Sequence, residues 1–221
     1  MYKFFAFKQE PYESPDDAYM DAYPDISRQG EAPECPKCHE HIGLLPTLPP
    51  IHAELELFGH YFADVGFAGS QLLVSARLRE LFIQHQYTGL YDFFPVNIFH
   101  VKSRKRKLRN ECPRYFLASI TRSRAAIDTR ASGFEWQSGP ECPECRRGTI
   151  IKRWARVIIE PGTWGGEDIF YARGLSGTIF VTERFREMYL TNGFRGGVFI
   201  PAEEYGHDFY PWEKETTTGE T

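Results

Sequence analysis

Two stretches of this chain carry the same sequence of apolar and polar positions. In each, a short apolar run, Leu72-Leu73-Val74 or Ile179-Phe180-Val181, leads into Ser75 or Thr182, hydroxyl residues suited to accept backbone N–H bonds at a helix start. Apolar side chains then recur at Leu78, Leu81 and Phe82, and at Phe185, Met188 and Tyr189. This is the i, i+3, i+4 spacing of a buried helical face. Asn192-Gly193 supplies a helix stop in the second stretch, and an aromatic-rich run follows in both, Tyr91-Asp92-Phe93-Phe94 and Val198-Phe199-Ile200. The pattern predicts strand, short amphipathic helix and strand, twice.

The two stretches align at an offset of 107 residues, which sets 74–82 on 181–189 with four of nine positions identical and brings Gly89 onto Gly196. The same offset lays Pro33-Glu34-Cys35-Pro36-Lys37-Cys38 on Pro140-Glu141-Cys142-Pro143-Glu144-Cys145. One offset serving both motifs predicts an internal duplication. The expected fold is α+β, with internally duplicated strand-helix-strand units joined by a four-cysteine zinc site. It forms a single pseudo-symmetric domain over 1–221: a first half of about 1–105, a linker of about 106–135 and a second half of about 136–221. Outside the units, residues 2–7 are expected as an edge strand, 46–50 as an irregular connector, 116–120 as a further strand and 213–221 as a frayed tail.

Composition adds limits. A chain of 221 residues with 42% hydrophobic and 15% aromatic content can bury a core, which excludes disorder of the whole. A formal net charge of −4 gives no global reason to expect nucleic acid as partner. Charge is nevertheless segregated: residues 9–25 hold six acids and no Lys or Arg, while 102–130 hold ten Lys or Arg against Glu111 and Asp128. The run Lys102-Ser103-Arg104-Lys105-Arg106-Lys107-Leu108-Arg109 reads as an exposed loop between the halves, with phosphate binding as the alternative. No apolar run approaches a signal-peptide core or a membrane span, so a cytoplasmic protein with no membrane partner is expected.

Five cysteines, four of them in C-x-x-C pairs, fit metal binding in a reducing compartment better than a disulfide framework. Each C-x-x-C turn offers two sulfurs to one metal, and its backbone N–H groups offset thiolate charge. Cys35, Cys38, Cys142 and Cys145 together complete a closed tetrahedral shell, the form of a structural rather than a catalytic zinc. The 103 intervening residues are tolerable because loop-closure cost rises only logarithmically with length. His39 and His41 flank the first knuckle, but Arg146 and Arg147 follow the second, so the histidines read as exposed loop residues. Cys112 has no counterpart in the repeat and reads as a plain buried or loop cysteine. Trp136, Trp154, Trp164 and Trp212 read as core or interface aromatics, and Gly165-Gly166 as part of a turn. A C-x-x-C redox enzyme is the weakest reading, since these knuckles are flanked by Pro and Glu rather than placed at a strand-to-helix start.

The paired CPKC and CPEC knuckles and the pattern GTIFVTERFREMYLTNGFRGGVF, residues 177–199, resemble the double-CXXCG motif family, whose myxobacterial members act as immunity proteins against toxins delivered between neighbouring cells. The V-[ST]-E-R-F helix and terminal G-V-x-F strand are similar to those of other immunity-type proteins. The resemblance covers roughly 33–200 and departs where the family has Gly after each knuckle, since His39 and Arg146 stand there. It implies a non-enzymatic protein that binds a cognate toxin, with no catalytic residues and with Cys35, Cys38, Cys142 and Cys145 as the motif cysteines. The competing expectation is a zinc-dependent nucleic-acid-binding protein using residues 102–109.

Overall fold

The computed structural model describes residues 2–137, 142–148 and 150–211. The expected frayed tail, Trp212 and the Pro140-Glu141 start of the second knuckle lie outside these. The described residues are mostly β, with two nine-residue α-helices, rather than the α+β balance expected from the sequence. In chain order the first elements are β1 (Phe4–Gln9), β2 (Met20–Pro24), β3 (Ile51–Leu57), β4 (Val65–Ala68), β5 (Gln71–Ser75), α1 (Ala76–Gln84), β6 (Leu90–Ser103) and β7 (Tyr115–Ile120). There follow β8 (Arg122–Ala126), β9 (Glu135–Trp136), β10 (Ile151–Trp154), β11 (Ile169–Arg173), β12 (Ile179–Thr182), α2 (Glu183–Thr191), β13 (Gly197–Pro201) and, after a 3-10 turn at Ala202–Glu204, β14 (His207–Asp208).

A six-stranded sheet has the order β2-β3-β6-β7-β5-β4, a five-stranded sheet the order β13-β1-β12-β11-β8, and a small sheet the order β14-β10-β9. The first sheet curls until its ends nearly meet: a Cβ added to Gly66 in β4 would lie 3.3 Å from Met20 Cε and 3.4 Å from Ala22 Cβ in β2. Alternation along the strands divides the core. Leu72 and Val74 of β5, Ala118 and Ile120 of β7, Phe5 and Phe7 of β1, and Ile179 and Val181 of β12 meet Leu78, Phe82, Phe185 and Tyr189 of the helices in one central cluster. Leu73, Tyr115 and Leu117 point the other way into the curled sheet, and Ala6 and Phe180 into the far side of the five-stranded sheet.

One expectation is corrected. Residues 2–7 do not form an edge strand, because β1 lies between β12 and β13 and pairs antiparallel with both. Phe5, Ala6 and Phe7 are buried in succession, the mark of a strand covered on both faces. The segment of about 106–135 supplies β7 to the six-stranded sheet, where a strand is expected at 116–120, and β8 to the five-stranded one.

The helices begin alike. Ser75 Oγ accepts from Leu78 N–H and donates to Asp64 at 2.7 Å, and Thr182 Oγ1 accepts from Phe185 N–H and donates to Asp168 at 3.1 Å. Each buried aspartate also pairs with an arginine of the same helix, Arg77 at 2.9 Å and Arg184 at 2.7 Å. Both arginines then reach toward the other sheet. Arg77 stacks over Phe194 at 4.4 Å and donates to the Asn192 carbonyl at 3.2 Å, while Arg184 stacks over Tyr87 at 4.1 Å and donates to the His85 carbonyl at 2.8 Å. Asp64 N–H donates to the Arg195 carbonyl at 2.8 Å and Asp168 N–H to the Thr88 carbonyl at 3.0 Å. Apart from the aspartates, corresponding members of these contacts stand 107 residues apart.

This junction is tight enough to require glycine. Gly89 has φ +105°, and an added Cβ would lie 1.8 Å from the Ile169 carbonyl oxygen, a backbone atom that cannot swing aside. Gly162 has φ +79° but nothing within 4 Å. Gly89→Ala is therefore expected to cost more than about 3 kcal/mol, against about 1 kcal/mol for Gly162→Ala, which meets only the left-handed backbone penalty. Chemical denaturation of both variants checks this, and equal costs would contradict the packing described.

Candidate metal centre

Each knuckle is a small closed turn. Cys35 N–H donates to the Glu40 carbonyl at 2.9 Å and His39 N–H to the Cys35 carbonyl at 2.9 Å; Cys142 N–H donates to the Arg147 carbonyl at 2.7 Å and Arg146 N–H to the Cys142 carbonyl at 2.8 Å. The residue after the second cysteine is left-handed in both, with φ 58° at His39 and 59° at Arg146. These are the places where the resembled motif has Gly, the residue that adopts such a conformation without a Cβ penalty.

Arginines hold the turns in place. Arg147 Nη1 donates to the His41 carbonyl, joining one knuckle to the other, and Arg122 of β8 donates to the Ile42 carbonyl. Arg173 of β11 donates to the Glu144 carbonyl and carboxylate, both at 3.2 Å, and Arg146 pairs with Glu160 at 2.7 Å. The first knuckle is also tied to the six-stranded sheet, where the Gln71 side chain accepts from Thr47 N–H at 2.7 Å.

The four expected cysteines meet. Cys35 Sγ lies 3.9 Å from Cys142 Sγ and Cys38 Sγ 3.7 Å from Cys145 Sγ, and all four sulfurs fall within 4.8 Å of one another. All four are free thiols, too far apart for disulfides. A tetrahedron with metal–sulfur bonds of about 2.3 Å has sulfurs about 3.8 Å apart, so the donor set and its spacing suit a metal ion. The thiols divide in acidity. Burial opposes ionisation of Cys35, but the N–H groups of Cys38 and Lys37 and the neighbouring thiols outweigh it and bring its pKa down to about 6. Cys142 is lowered chiefly by the Cys145 N–H. Burial, reinforced by the neighbouring thiols, pushes Cys145 up to about 12. Four thiolates so close repel one another unless a cation sits among them.

His39 and His41 are exposed and stand outside the sulfur cluster, and Cys112 is exposed with its thiol 3.6 Å from the Pro113 carbonyl. The basic run begins at the end of β6 and is partly neutralised: Lys102 and Arg104 share Glu56 at 3.2 and 3.0 Å, and Arg109 meets Asp16 at 2.9 Å. Among the described residues no helix is long and apolar enough to cross a membrane. Sequence reasoning missed the paired aspartates, because Asp64 precedes Ser75 by 11 residues whereas Asp168 precedes Thr182 by 14, which breaks the fixed offset. It also missed the tethering role of Arg122, Arg147 and Arg173, whose partners are backbone carbonyls and leave no residue pattern.

The fold and the sulfur cluster together define a mostly β protein whose knuckles converge on one metal-competent site. The model of the Immunity protein family (Imm11) matches residues 59–204, about two thirds of the chain, and the chain belongs to this family. A search of curated proteins finds no match. The matched span contains Cys142 and Cys145 but begins after Cys35 and Cys38.

The left-handed turns give a direct check on the knuckle geometry. His39→Gly is expected to raise stability by about 0.5–1 kcal/mol, since the conformational penalty it removes exceeds the entropy glycine adds to the unfolded chain. Urea denaturation measures it, and a loss of stability would contradict the assigned backbone.

Proposed function

We propose that this chain is a non-enzymatic immunity protein that binds a cognate toxin in the cytoplasm and keeps it from its substrate. Membership of the immunity protein family over residues 59–204 is the observation that carries this reading. Neutralisation by occlusion needs a stable complementary surface, typically about 1,200–2,000 Å² in total, and no catalytic group. The alternative, nucleic-acid binding through residues 102–109, is weakened because Lys102, Arg104 and Arg109 are already paired with acids. Co-expression of this chain with the toxin encoded beside its gene is expected to restore growth and yield a stoichiometric complex. Survival that does not depend on the chain, or depends on it with no complex, would refute binding immunity.

The metal we assign to Cys35, Cys38, Cys142 and Cys145 is one structural Zn²⁺, on the strength of four thiolate donors at tetrahedral spacing. Elemental analysis of protein purified without chelators is expected to give about one zinc per chain. Protons compete for the thiolates, so zinc retention should fall as the pH drops from about 7 to 5. Cys142→Ser should lose the metal and at least about 3 kcal/mol of stability. Zinc-free protein of undiminished stability would contradict the assignment.

We further propose that the chain is one pseudo-symmetric domain built from a duplicated unit. The support is the set of contacts at the constant 107-residue offset, including both sulfur pairs. An experimental structure in which 70–96 and 177–201 superpose by a rotation far from twofold would contradict it.

A further inference from the structure

The two units differ in the strand that follows each helix. In β13, residues Val198, Phe199 and Ile200 pair with β1 in unbroken register. In β6 the register against β7 shifts between Tyr91 and Phe94, and Asp92 takes φ 52°, a left-handed conformation uncommon for a residue other than glycine. The bulge turns Tyr91 and Asp92 outward in succession, where a regular strand would bury one of them. Opposite them runs the arm that leaves the first knuckle. Between arm and bulge lies a cleft of about 640 Å³, whose apolar wall includes Leu44, Leu48, Tyr91 and Phe94. Leu44 is 62% exposed and Tyr91 49%.

Acids outnumber cations in the cleft. Glu31 and Asp92 line it, and neither forms an ion pair among the described residues. Its cation, Arg122, is already committed to the Ile42 carbonyl and stacked over Tyr171 at 5.1 Å. The arm is also fixed in advance. Thr47 and Gln71 are buried and exchange two hydrogen bonds, of 2.7 and 3.4 Å, so little ordering remains to oppose binding.

We propose that this cleft is where the toxin docks, receiving a lysine or arginine flanked by apolar side chains. Apolar walls exclude water around the stem of such a residue while Glu31 and Asp92 meet its charge. The inference rests on the immunity reading, and its test separates the two. The full chain is titrated with the toxin domain encoded beside its gene, first as wild type, then as Leu44→Asp, Tyr91→Ala, Asp92→Asn and Glu31→Lys. Phe99→Asp serves as a control at a position 61% exposed elsewhere on β6. Melting temperature and metal content establish that each variant is folded, and exposed positions such as Glu31 leave the test open if one is not.

Leu44→Asp and Tyr91→Ala are expected to weaken Kd at least about 30-fold, and Asp92→Asn and Glu31→Lys about 5- to 10-fold with a shallower salt dependence. Phe99→Asp should stay within about threefold. Folded cleft variants that bind as wild type does, or a large loss confined to Phe99→Asp, would overturn the cleft assignment and leave immunity standing. A wild-type chain that binds no toxin would overturn the immunity reading itself, and the docking site with it.

Discussion

Four sulfurs within 4.8 Å of one another impose the constraint on which the rest of this structure turns. As thiolates they repel, and as thiols they leave a polar cluster with Cys35 and Cys145 pulled toward opposite protonation states. A cation at their centre would resolve the conflict and tie residues 35–38 to 142–145. The first of these segments is followed by an arm tied to the five-stranded sheet through Arg122 and to the six-stranded sheet through Thr47 and Gln71, and the second is tied to the five-stranded sheet through Arg173 of β11. The proposed zinc is therefore a clip between the two knuckles, reinforcing the bond from Arg147 to the His41 carbonyl.

A second junction, on the helix side, holds the same sheets without metal. Asp64 and Asp168 each accept a hydroxyl and an arginine from the start of their own helix, and each arginine continues to carbonyls at the far end of the other helix. Such buried carboxylates are stable only while fully partnered, so they specify one arrangement of the helices more than they add net stability. The glycines at 89 and 196 let the backbones approach closely enough for these bonds to form. Together the proposed clip and the junction would restrain the two helices and the knuckles, which would suit the proposed binding role.

Much of this arrangement was legible in the sequence, wherever the signal was local. The knuckles, the caps at Ser75 and Thr182, the apolar helix faces and the stop at Asn192 each rest on residues within a few positions of one another. What escaped depended on distant partners. The short apolar run of β1 reads as an edge until its partners at 179–182 and 197–201 are known. The basic run reads as a solvated loop until acids from the N-terminal stretch and β3 are brought against it, Asp16 to Arg109 and Glu56 to Lys102 and Arg104. The bulge at Asp92 carries no Gly, and the aromatic-rich run around it reads as a regular strand, so the register shift there escapes.

The proposed sharing of one metal ion by the two knuckles is open to one direct measurement. X-ray absorption at the zinc edge of the purified chain reports the identity, number and distance of the ligand atoms. The account predicts four sulfurs at about 2.3 Å with no nitrogen or oxygen ligand. A shell of two sulfurs completed by histidine or water would mean that the knuckles do not share one ion, and the clip between them would have to be abandoned.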